Sequence, residues 1–158
     1  MAETFPQVRR QKHVLYPDTI RVLDKLRSNY ALGLLSNGAP DLQRTKIEGA
    51  GLAGCFDEVL ISGEAGVAKP DRHAFEIMLT RLKSVLENTL MIGDRLVTDI
   101  QNAQNVGMRA VWINRSGKAA NAIIKPDWEI SSLDEQPYTR SVWIRCPFVL
   151  VCHACLKR

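Results

Sequence analysis

The chain has 158 residues, 46% of them hydrophobic and 24% charged, with a formal net charge of +4. That length suits one domain burying about two-thirds of its unfolded surface, and the balance is that of a soluble globular protein. No stretch reaches the roughly 20 apolar residues of a bilayer span, and the Lys and Arg residues form no basic block interleaved with aromatics. Membrane and nucleic-acid partners are therefore not expected.

The opening MAETFPQVRRQKH has no apolar signal-peptide core, so a cytoplasmic location is expected. From Tyr16 to Ile113 short apolar runs alternate with helix-like periods. Asp18 is placed to cap a helix whose stripe is Ile20, Leu23 and Leu26, with Val22 beside them. ALGLL (31–35) is a continuous apolar run, the mark of a strand buried on both faces. Pro40 suits the first position of a helix ending near Gly49 or Gly51, and EVLIS (58–62) is the next strand. Pro70 opens a helix with Phe75, Met78, Leu79 and Leu82 at i, i+3, i+4 and i+7. TLMI (89–92) and RAVWI (109–113) are further strands, separated by a stripe of Ile100, Ala103 and Val106 that Gly107 stops. A short fifth strand fits near Trp128 to Ile130. Such alternation calls for an α/β fold, a parallel sheet with helices on both faces.

In open parallel sheets ligands sit beyond the carboxyl ends of the strands. Three polar clusters fall there: Ser36-Asn37-Gly38, Lys69 and Gly93-Asp94, the last followed by Asp99. Each has an ordinary structural reading as a turn, a helix approach or a strand exit, with Asp99 as a helix cap. Together they also fit phosphate chemistry. A serine hydroxyl and backbone N–H groups at a helix N-terminus cradle phosphate. Lysine supplies a point charge for phosphoryl oxygens. Two carboxylates suit Mg²⁺, which takes few protein ligands and keeps its waters.

LLSNG (34–38), VAKPDRHAFE (67–76) and MIGDRLVTDI (91–100) closely resemble the second, third and fourth motifs of the haloacid dehalogenase-like hydrolases. The match is best to the phosphatase-rich branch with a helical cap inserted after the first motif, and covers about Tyr16 to Asp127. The resemblance implies a Rossmann-like three-layer core and a Mg²⁺-dependent phosphatase acting on a small phosphorylated metabolite through an aspartyl-phosphate. It implies that Ser36 hydrogen-bonds phosphate, with Asn37 and Gly38 shaping that pocket. Lys69 would steady the phosphoryl group, Asp94 would ligate Mg²⁺ directly or through water, and Asp99 would support the metal shell. The family also contains 2-haloacid dehalogenases, which need no metal; Gly93-Asp94 stands where they carry a Ser-Asn type motif.

Members of this family begin with an apolar strand ending in Asp-x-Asp-Gly-Thr, and no Asp-x-Asp occurs in these 158 residues. The expected organisation is a cap remnant or linker at 1–13, a core at 14–135 and an atypical tail at 136–158. The first motif and most of the cap would lie upstream of Met1. By resemblance the lost strand is central, so an unfilled gap would leave the fragment poorly stable, and no phosphatase turnover is expected of it alone. The tail's FVLVC (148–152) reads either as a strand or as an unstructured segment. It is a candidate to fill the gap, although Pro147 suits a sheet edge better than a centre. Cys152-His153-Ala154-Cys155 and Cys146 hold enough thiol and imidazole for zinc, without a second pair at finger spacing. A non-catalytic phosphate- or Mg²⁺-binding module remains the alternative function.

Overall fold

The computed structural model describes residues 14–120 and 122–135 and the backbone of residues 148–152. In chain order the elements are α1 (Thr19–Arg27), β1 (Ala31–Ser36), α2 (Pro40–Gly49), β2 (Glu58–Ile61), α3 (Ser62–Ala65), α4 (Arg72–Leu82), β3 (Thr89–Gly93), α5 (Asn102–Asn105), β4 (Arg109–Ile113), β5 (Trp128–Ile130) and β6 (Phe148–Cys152). A wide π-type turn, Leu96–Gln101, runs directly into α5. Among the described residues no helix is long and apolar enough to cross a membrane.

The six strands form one parallel sheet in the order β2-β1-β6-β3-β4-β5. Alternate side chains along β1, β2, β3 and β4 enter different cores, as the two-residue period of a strand requires. Leu32, Leu34, Leu90 and Ile92 pack with α1, Ile47 of α2 and Phe56. Leu35, Leu60, Met91 and Trp112 pack with Phe75 and Met78 of α4 and with Ile100 and Ala103. A sheet covered on both faces is the three-layer α/β architecture expected from the alternating runs.

The centre of the sheet holds the tail strand. β6 pairs with β1 from Ala31↔Phe148 to Leu34↔Val151, and with β3 from Thr89↔Phe148 to Gly93↔Cys152. The ladder begins one residue after Pro147, so no ladder bond needs the N–H that proline lacks. Residues 1–13, expected as a cap remnant or linker, and the side chains proposed for zinc lie outside the described residues.

Three local expectations are corrected. Ile20 is exposed, and the buried stripe of α1 is Thr19, Val22, Leu23 and Leu26. Asp18 stands at the N-cap position of α1 but makes no cap bond, because its carboxylate is held elsewhere. α4 starts at Arg72 rather than Pro70, since Asp71 is the true cap and accepts the His73 N–H at 2.9 Å.

Candidate active site

Parallel strands bring their carboxyl ends to one edge, and every residue singled out for phosphate chemistry falls there. β1 ends at Ser36, which is buried, and the chain turns through Asn37 and Gly38 into α2. β3 ends at Gly93, so Asp94 is the first residue beyond the sheet. Lys69 lies in the loop between α3 and α4, after β2 in the chain.

Asn37 joins two of these loops. Its side-chain amide donates to the Lys69 carbonyl at 2.9 Å and accepts the Lys69 N–H at 3.0 Å. One N–H and the oxygen of the amide are thereby used on backbone, so Asn37 sets the position of Lys69. Gly38 also differs from expectation. Its N–H, counted on as part of a phosphate cradle, donates to Ser62 Oγ at 2.9 Å. Its φ of 141° favours glycine, and a Cβ there would lie 2.6 Å from Gln43 Nε2 and displace that side chain.

From its clamped backbone Lys69 extends inward, and Nζ meets Asp99 Oδ1 at 2.6 Å with both side chains almost fully buried. The other oxygen, Asp99 Oδ2, accepts the Arg95 N–H at 3.2 Å. Asp99 is therefore not the helix cap; Arg95 holds that position, and Asp99 reaches back to it from inside the π-type turn. This reach presses Asp99 against the end of β3. A Cβ on Gly93 would lie 2.4 Å from Asp99 Cβ and 2.8 Å from Oδ2, so only glycine admits the carboxylate there. Asp94 is half-buried beside it, its carbonyl accepting the Trp112 Nε1–H at 3.3 Å.

Ser62, Gly63 and Trp112 belong to this edge without a sequence signal for it. Ser62 closed a predicted strand and Trp112 sat within an apolar run, so neither signalled contact with the site. Gly63 lets the α3 turn approach α2, since a Cβ would meet Pro40 Cδ at 2.6 Å and Gly38 O at 2.9 Å. A second polar cluster occupies the same edge near β4 and β5. Arg115 holds Asp18 in a forked pair at 3.0 Å per bond, Asp18 Oδ2 also accepts the Leu133 N–H at 2.6 Å, and the guanidinium lies 3.7 Å from the Tyr16 ring centroid. It ties the start of α1 to the loops after β4 and β5.

Asp94 and Asp99 are the carboxylates at this edge, Asp99 with both oxygens already bonded to Lys69 and the Arg95 N–H, and no group of three or more His, Cys, Asp or Glu side chains converges among the described residues. Hard oxygen donors in that number fit Mg²⁺, which completes its shell with water and substrate oxygens.

A parallel α/β core with this edge falls in a known class. The model of the haloacid dehalogenase-like hydrolases matches residues 5–107, and the chain belongs to that family. It is 41% identical over 136 residues to the phosphoserine phosphatase of Thermus thermophilus, covering 85% of this chain and 54% of that protein. It is similar to the magnesium-bound structure of the putative HAD-hydrolase YfnB from Bacillus subtilis, with a TM-score of 0.72, 28% identity, and coverage of 76% of this chain and 53% of that one. It is also similar to a 2-haloacid dehalogenase from Pseudomonas syringae, with a TM-score of 0.69, 35% identity, and coverage of 77% and 51%. The chain spans about half the length of the proteins it matches.

Proposed function

We propose that this chain carries the phosphate- and metal-binding half of a cytoplasmic, Mg²⁺-dependent phosphatase acting on a small phosphomonoester. The whole protein would work through an aspartyl-phosphate, the route that its family membership favours. The observation that carries the reading is the buried Lys69–Asp99 pair held against Gly93, beside Asp94. In this reading Ser36 donates its hydroxyl to the phosphate. Lys69, with three N–H donors, holds Asp99 and serves a phosphoryl oxygen at once. Asn37 fixes where Lys69 stands, and Asp99 keeps that ammonium buried and charged. Asp94 holds Mg²⁺ directly or through water, and the ion when bound offsets charge developing on the phosphoryl oxygens. A carboxylate at Asp94 favours phosphate chemistry over metal-free dehalogenation.

The chain alone turns over no phosphomonoester in this reading. It has no Asp-x-Asp, and the strand between β1 and β3 is FVLVC, without a carboxylate to attack phosphorus. The same observation supports the second reading, a non-catalytic module that binds phosphate and Mg²⁺. Calorimetric titration of the pure chain with inorganic phosphate, with and without Mg²⁺, tests the binding half, and Mg²⁺-dependent binding is expected. An aryl phosphate assay tests the other half: Mg²⁺-dependent phosphate release would refute the inactivity of this chain. No phosphate binding under any condition would remove both readings.

A further inference from the structure

The sheet is built in two halves whose ladders meet through β6. β2 and β1 form one half, β3, β4 and β5 the other, and β6, the last of the described strands, lies between them. Phe148 is level with both Ala31 and Thr89, and Val151 with both Leu34 and Ile92, so β6 sets the register of the two halves. Neighbouring strands stand about 4.8 Å apart, which leaves β1 and β3 roughly 10 Å from one another, too far to pair directly. Without β6 each would lose a full ladder, and buried backbone groups without partners are costly.

The walls of this slot do not depend on β6 alone. Leu34 and Ile92 share one core with α1 and α2, and Leu35 and Met91 share the other with α4. Side chains from both halves are thus held together on both faces of the sheet. What fills the slot is an uncharged run of five apolar residues, the composition of a strand buried on both faces. It is joined to the described core by residues 136–147, a stretch that fully extended spans up to about 40 Å.

We propose that the slot between β1 and β3 is a strand-acceptor site, that β6 is a separable strand seated in it, and that a second copy of this chain can supply the same strand. An identical tail makes an identical ladder, so the closed monomer and a strand-exchanged dimer have the same bonds. They differ in the effective concentration of the tail, on the order of mM when acceptor and strand belong to one chain. The recognised chemistry is a parallel, uncharged, apolar strand, read mainly through its backbone.

The test uses the full chain. Native mass spectrometry of a mixture of unlabelled and isotope-labelled chains should show mixed dimers that grow as the concentration approaches about 1 mM. Leu150→Pro, which removes a ladder N–H in mid-strand, should abolish the dimer and speed hydrogen exchange at residues 31–36 and 89–93 at least tenfold. A synthetic peptide of residues 147–153 should restore that protection in trans, whereas the same peptide carrying Val149→Lys and Val151→Lys should not. A chain that stays monomeric at every concentration overturns the proposal. So does unchanged exchange of β1 and β3 in Leu150→Pro, or a Leu150→Pro chain that the native peptide leaves unprotected.

Discussion

Lys69 and Asp99 form a nearly dry ion pair, 2.6 Å from Nζ to Oδ1, between the approach to α4 and the turn after β3. Breaking a buried pair from one side strands the other charge, which costs about 3–5 kcal/mol. Lys69→Met should lower the urea unfolding free energy by about that much. Lys69→Met with Asp99→Leu should lose less than the sum of the two single changes, because the double variant buries no lone charge. Additive losses would show that the pair is not coupled.

Gly93→Ala tests the close approach of Asp99 to β3. The added methyl would fall inside the Asp99 side chain, so either the carboxylate moves or the strand does. Overpacking of this kind typically costs about 1–3 kcal/mol. In the proposed site Mg²⁺ affinity should fall as well, measured by calorimetry on the folded variant. Unchanged stability would mean that Asp99 swings aside freely.

Arg115→Met should destabilise the chain by about 3–5 kcal/mol, since Asp18 would keep the Leu133 N–H but lose its buried cation. Arg115→Lys should recover only part of this, because an ammonium cannot fork onto both oxygens or stack on Tyr16 as a planar group does. Full recovery by lysine would mean that charge alone matters here. Thermal and urea unfolding of the two variants separate these outcomes.

Acid sensitivity should arise in part at Asp71. The His73 backbone N–H, with help from its ring, holds this carboxylate below its ordinary value of 3.8. A depressed folded-state value adds stability that is present above the unfolded value and lost as pH falls below it. Asp71→Ser keeps an acceptor at the cap but does not titrate, so its stability should fall less steeply than that of the parent between pH 5 and about pH 2. Parallel pH curves for the two proteins would rule out this contribution.

The strands were legible because each is a run of consecutive apolar residues that only a sheet buried on both faces can use. RAVWI appears as β4 and TLMI extends by one residue to Gly93. Place in the sheet was not legible for FVLVC, since its pattern states burial and carries no register, while Pro147 argued for an edge. At the site, residue types pointed to the correct edge, but partners did not follow from type. Asn37 could have faced a ligand or a backbone with equal propriety, and Asp18 could have capped a helix as well as an arginine 97 residues away. Such choices are made by long-range geometry, which local spacing does not contain.

The Asn37 amide stands in for a peptide group. It completes with Lys69 the paired donor and acceptor that two strands would exchange, across 32 residues of chain. Ser36 and Lys69 are therefore gauged against each other by a side chain as well as by the helix, strand and turn between them. Shortening that side chain, as in Asn37→Ala, would remove both bonds and leave the ammonium to be placed from its Asp99 end.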